Sequence, residues 1–141
     1  MNKRIIMKWP VLGKQVRIEL MQNFNPEICD IFISQLPVES IQSHAVVCGK
    51  QMYFPFALVR YPDKIAYEDM SLQPIGRINL ELNFQYLSLN YGPNHEAVPS
   101  VAIGQVIEED ISIVEEIGLL IWNNLLFSND HIKVIVEAEI G

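Results

Sequence analysis

A chain of 141 residues, half of them hydrophobic, is long enough to bury a sizeable core and falls in the size range of one ordinary domain, so residues 1–141 read as a single unit. The net charge of -7, from 10 Lys and Arg against 17 Asp and Glu, argues against a surface built to track phosphates, and nucleic acid is not an expected partner. No apolar run approaches the roughly 20 residues needed to span a bilayer, because Ile117 to Leu126 is cut by Trp122-Asn123-Asn124, so no membrane partner is expected.

The amino end, Met1-Asn2-Lys3-Arg4, turns apolar at Ile5 but breaks at Lys8 and Pro10, too short for a signal-peptide core, and export is not expected. Cys29 and Cys48 fall in segments that read as a buried helix and a buried strand, with no second Cys or His at ligand spacing. A reduced, cytoplasmic setting fits best, with a disulfide between the two as the alternative.

Arg4 to Trp9 and Lys14 to Met21 flank Pro10-Val11-Leu12-Gly13, and the second run sets Val16, Ile18 and Leu20 against Arg17 and Glu19, which predicts a hairpin. Asn25 offers an N-cap with Pro26 at the first helical position. Ile28, Phe32 and Leu36 then recur at helical spacing until Pro37, so a short amphipathic helix is expected over Pro26 to Gln35. Two β-favouring runs, Ile41 to Cys48 and Gln51 to Ala57, surround Gly49-Lys50 as a second hairpin, and Pro55 confines the latter to an edge or an end. Arg60 to Pro74 carries turn formers and no sustained period, and is expected to be a long loop of the kind that often serves function.

Ile78, Leu80 and Leu82 alternate with Asn79, Glu81 and Asn83 before the phase slips and Leu87, Leu89 and Tyr91 share a face, which requires a bulge or a turn near Asn83. Tyr91-Gly92-Pro93-Asn94-His95-Glu96 reads as a turn. A Gly-Pro pair does not continue a strand ladder, so the chain is expected to leave the sheet there and present its side chains at the rim. Val101 to Ile107 reads as the next strand. Ser112-Ile113-Val114-Glu115 has the capping-box pattern, and Val114, Ile117, Gly118, Ile121 and Leu125 form one stripe of a helix ending near Leu125. Ile132 to Ile140 alternates almost without error and closes the chain as a strand.

Two helices and about eight strands hide their apolar faces most simply in a mainly β fold, a small closed or nearly closed β-barrel capped by the two helices. His44 begins a strand of contiguous apolar residues, where burial would keep its ring neutral and able to accept a proton. Tyr91, His95 and Glu96 place a phenol, an imidazole and a carboxyl within six residues, a set that supplies both proton donor and proton acceptor. The bland alternatives are a hydrogen-bonded structural His44 and a solvated turn. Arg60 and Arg77 bracket the long loop as candidate clamps for a substrate carboxylate or as surface ion-pair partners. Tyr53, Phe54, Phe56 and Tyr61 are candidate pocket walls, with Phe54 and Phe56 favoured as core and Tyr53 left open for substrate binding. No metal-ligand spacing, phosphate cradle, nucleophile elbow or dinucleotide glycine pattern is present, and neither metal nor cofactor is expected.

Leu36-Pro37-Val38-Glu39, His44-Ala45, Cys48-Gly49-Lys50-Gln51-Met52-Tyr53-Phe54, Gly76, Tyr91-Gly92-Pro93 and the final strand together resemble the bacterial cyclophilin-like proteins that include the cyclophilin-like domain of cucumopine synthase. The resemblance implies a small cyclophilin-like barrel closed by two helices. It also implies chemistry of the Pictet-Spengler kind, in which an amino acid condenses with a keto acid through an imine and a ring carbon then closes on it. On this resemblance His44 and Glu96 would transfer protons, Tyr91 and His95 would orient or donate, and Arg60 or Arg77 would hold a substrate carboxylate. Cucumopine synthase adds a carboxyl-terminal helical bundle, and this chain ends directly after its last strand, so a homodimer is one expected way to complete the pocket.

Three functions therefore stand: a lyase or cyclase acting on a small carboxylated metabolite, a non-catalytic module that binds such a ligand, and a peptidyl-prolyl isomerase. The last lacks the Phe-x-x-x-Ile-x-x-Phe stretch of true cyclophilins.

Overall fold

In the computed structural model, which describes residues 3–139, Arg4–Trp9 (β1) and Lys14–Leu20 (β2) form the expected antiparallel hairpin. Pro10–Leu12 makes one 3-10 turn between them, and Gly13 ends it in the left-handed conformation, with φ 64°. Helix α1, Pro26–Ser34, keeps almost the expected span. Asn25 precedes it but does not cap it with its side chain. Buried at 2% exposure, its amide instead donates to the carbonyls of Ala66 and Ala102 and accepts from the Ala66 N–H, at 2.7–2.9 Å. Three internal bonds outweigh the single one a cap would make.

The strands that follow are Val38–Ile41 (β3), Ser43–His44 (β4), Gly49–Pro55 (β5), Glu68–Asp69 (β6), Arg77–Glu81 (β7), Tyr86–Asn94 (β8), Pro99–Ser100 (β9) and Ala102–Val106 (β10). Helix α2, Ile111–Phe127, and Lys133–Ala138 (β11) complete the chain, and the expected Ile140 end of the last strand lies outside the described residues. The second hairpin differs from expectation. β4 pairs with β5 around a longer turn through Cys48, whereas Ile41 belongs to β3 and pairs with Lys133 of β11. The phase slip near Asn83 is a turn between β7 and β8.

The Gly92-Pro93 pair does not end its strand either; β8 runs on to Asn94. The ladder with β5 joins Gln51 to Asn90 and then Gly49 to Asn94, so three residues, Tyr91 to Pro93, face Lys50 alone. In such a bulge no ladder bond is required of the proline nitrogen. The capping box is likewise unused. A 3-10 turn, Glu108–Asp110, precedes α2, and Ser112 lies inside the helix. Asp110 turns its carboxylate to Arg17, accepting from the backbone N–H at 2.8 Å, Nε at 3.1 Å and Nη2 at 3.0 Å.

Among the described residues one antiparallel sheet of nine strands runs in the order β3-β11-β1-β2-β10-β7-β8-β5-β4, with β6 and β9 as a separate pair. The fold is mainly β, a nearly closed barrel carrying one short and one long helix. Its two ends meet at a seam crossed by side chains. Ser40 Oγ donates to the Pro55 carbonyl at 2.9 Å, and Gln42 Nε2 donates to the Tyr53 carbonyl at 2.9 Å.

Strand register assigns each side chain to one of two faces. Met52 and Phe54 lie opposite Leu89 and Leu87, which lie opposite Ile78 and Leu80, and all six join the buried core. Gln51, Tyr53, Asn79, Glu81, Tyr86, Ser88 and Asn90 occupy the other face. The core also takes in Ile28, Cys29 and Phe32 of α1 and Val114, Ile117 and Ile121 of α2. Both cysteines are buried free thiols. No described helix is long and apolar enough to cross a membrane.

Candidate functional site

The outer face of β5, β7 and β8 is covered by residues 60–74. Asn25 holds this loop at Ala66, Glu27 Oε1 accepts from the Asp63 N–H at 2.9 Å, and Tyr61 Oη donates to the Leu82 carbonyl at 2.9 Å. Between loop and sheet lies a cavity of about 410 Å³. The sheet gives it Gln51, Glu81 and Tyr86, and the loop gives it Tyr61, Tyr67 and Met70. Phe84 of the β7–β8 turn forms another wall, and Glu96, just past β8, reaches it from the far side.

Two carboxyls thus meet four aromatic rings. Burial pushes the Glu81 pKa up, and the nearby Glu96 adds to the effect. The Ser100 hydroxyl works in the opposite direction, although it makes no full hydrogen bond; Glu81 Oε1, Ser100 Oγ and Asn94 Nδ2 are all buried without a partner. Burial also pushes the Tyr86 phenol up to about 12, with Glu81 contributing, and raises the Cys48 thiol, with Glu96 contributing. A carboxyl that holds its proton above the ordinary carboxylate range, in an aromatic-walled hollow, is suited to exchanging protons with a bound substrate.

The expected site residues divide between two places. His44, 4% exposed, lies under α2 with its ring centre 4.7 Å from that of Trp122. Its Nδ1 is 2.5 Å from the Ala45 carbonyl, which only accepts, so Nδ1 carries the proton and Nε2 accepts from the Tyr91 hydroxyl at 2.6 Å. A smaller hollow of about 290 Å³, lined also by Asp130 and His131, borders His44. The structure brings His44 to Tyr91 and not to Glu96. The cause is strand parity: His44 lies opposite Met52 on the core face, while the larger cavity is on the other. His95 is exposed, its N–H donating to the Cys48 carbonyl at 2.8 Å.

Arg60 is exposed and lines neither hollow. Arg77 forks onto Glu68 at 2.8 and 3.3 Å and donates to Gln105 at 2.9 Å, outside the cavity lining. Tyr53 stands behind the cavity wall, its ring centre 4.8 Å from that of Tyr86.

Glu81, Tyr86, Tyr67 and Gln51 line the cavity but draw no attention in the sequence, where Glu81 reads as the solvent side of an alternating strand. A signal was present. The face they share carries Asn79, Ser88, Asn90 and Gln51, short neutral polar residues rather than lysines, as a covered polar face requires. These residues bond to one another: Gln51 Nε2 donates to Asn90 Oδ1 at 3.0 Å, Asn90 Nδ2 to Gln73 Oε1 at 2.9 Å, and Gln73 Nε2 to Asn79 Oδ1 at 2.7 Å. Among the described residues no three His, Cys, Asp or Glu side chains are grouped to hold a metal ion.

A nearly closed barrel with a loop-covered cavity on its outer face is the class that fold and site define. Among solved structures it is similar to McbB, solved in complex with tryptophan, at a TM-score of 0.85 and 29% identity over 97% of this chain. The chain spans 45% of McbB's length. The solution structure of the hypothetical protein AF2241 from Archaeoglobus fulgidus shares the fold at a TM-score of 0.64 and 15% identity, covering 98% of this chain and 95% of its own. No family model matches the chain, and no curated protein does.

Proposed function

We propose that this chain is a small-molecule enzyme of lyase or cyclase type, joining an aromatic amine-bearing metabolite to a carbonyl compound in a Pictet-Spengler-like condensation. The observation that carries the reading is the cavity of about 410 Å³ in which Glu81, with Oε1 unpartnered and its pKa raised, faces aromatic walls. The likeness to McbB, an amino-acid-binding neighbour by its complex with tryptophan, supports the substrate class. The resemblance of the sequence to the cucumopine synthase domain supports the reaction type.

In the proposed sequence the amine adds to the carbonyl carbon, and the Glu81 carboxyl gives its proton as the hydroxyl leaves as water, leaving a protonated imine and the Glu81 carboxylate. A carbon of the aromatic ring then bonds to the imine carbon, and the C=N electron pair returns to nitrogen. The ring proton at the new bond passes to the Glu81 carboxylate, restoring aromaticity. Glu96 stabilises the cationic imine from the opposite wall. Tyr86 and Tyr61 hold the substrate ring, and Tyr53 supports Tyr86 from behind. His44 and Tyr91 serve as a buried positioning pair that holds β4 and β8 in place, and His95 is exposed next to Glu96. Arg77 orients Glu68 and does not clamp substrate, and Arg60 lies beside the loop.

The test is incubation of the protein with an aromatic ethylamine, or its amino acid, and an aldehyde, read by mass spectrometry for a product lighter than the sum of the two by one water. Glu81→Gln should lower the rate by about 10²-fold or more while leaving thermal unfolding in place. Binding without product would leave the ligand-binding module. Acceleration of prolyl isomerisation in a peptide would favour the third reading instead.

A further inference from the structure

We infer that the cavity selects an aromatic amine whose carboxylate is absent or masked, in preference to the free amino acid. The inference rests on the aromatic-amine reading above and narrows it. Of the side chains lining the cavity, Glu81 and Glu96 are acids, and no Lys, Arg or His is among them. The two arginines that flank the covering loop do not compensate. Arg77 is committed to Glu68 through both arms of its fork and to Gln105, and Arg60 is exposed outside the lining.

The polar atoms left over also favour a donor. An ionised Glu81 Oε1 can only accept, and the Ser100 hydroxyl beside it, 0% exposed, also offers lone pairs. An ammonium group on Glu81 Oε1 would satisfy that oxygen and offset the negative charge of Glu81 and Glu96. The unpartnered donor among these buried atoms, Asn94 Nδ2, lies beside the Cys48 sulfur and belongs to a neutral amide. It cannot balance a carboxylate placed near two glutamates. A free amino acid therefore brings its anionic group into a negative field with no cation to pair it, whereas the simple amine brings a net positive charge alone.

The experiment measures affinity by isothermal titration calorimetry at pH 7 for tryptamine, L-tryptophan methyl ester and L-tryptophan. Tryptamine and the ester should bind at least tenfold more tightly than L-tryptophan. The gap should narrow in Glu96→Gln, an exposed position where the substitution leaves the fold intact. L-tryptophan binding as tightly as tryptamine would overturn this inference and leave the aromatic-amine reading standing. If none of the three binds, both fall together.

Discussion

A single imidazole shows how burial decides what a side chain does. His44 is buried with one ring nitrogen on a carbonyl and the other on a phenol, so both nitrogens are matched in the neutral ring. Burial holds its pKa below the ordinary value of 6.5, and the Ala45 carbonyl only partly opposes this. As pH falls through 6.5 the unfolded chain gains a proton that the folded one refuses, so folding stability declines on the acid side and is unaffected above it. The slope from this one group is at most about 1.4 kcal/mol per pH unit. Melting temperatures followed from pH 7.5 to 5 should fall in the native chain, and His44→Gln should flatten that part of the decline. An unchanged slope in the variant would show that His44 is charged when folded.

Helix α2 makes a comparable case one level up. Gly118 lies on its buried stripe, and a methyl group there would sit 2.2 Å from Cγ of the Tyr91 ring. On an exposed helix, replacing glycine by alanine stabilises by roughly 0.5–1 kcal/mol. Here the sign should reverse. Gly118→Ala should destabilise by about 1–3 kcal/mol, because ring and helix backbone must part and the phenol then loses His44. A denaturant midpoint raised by the substitution would refute this packing.

Elements whose own period reports their burial were legible in the sequence: the first hairpin, α1, α2 and the last strand. The elements around the cavity were legible only in part. β7 alternates as expected, but its polar side is roofed by residues 60–74, and a period of two cannot tell a roofed face from a wet one. Glu81 is hidden in the sequence for that reason, whereas Glu96 stands out because it follows a turn-forming pair. The separation of His44 from Glu96 depends on cross-strand register, which no local pattern contains.

At the scale of the whole molecule, closure rests on few atoms. Gln42 accepts from Trp9 Nε1 at 2.9 Å and donates to the carbonyls of Tyr53 and Ser43, tying the core to the seam between β3 and β5. Gln42→Leu fills similar space but leaves the buried Trp9 N–H unpaired, at a cost of about 1–3 kcal/mol. Amide hydrogen exchange should accelerate in β3 and β5 before it does in the β1–β2 hairpin. Uniform acceleration across the sheet would mean that the seam is not a separate weak point.

The seam also bears on how the protein behaves in a crowded solution. An open sheet offers unpaired amides to strands of other molecules, and natural proteins blunt such margins with charges, prolines or short strands. Here β3 and β4, which terminate the sheet at its two ends, are separated in the chain by Gln42 alone. The two margins are thereby held close together, with Ser40 and Gln42 reaching across to β5. Connectivity is then the device that limits strand addition at this margin.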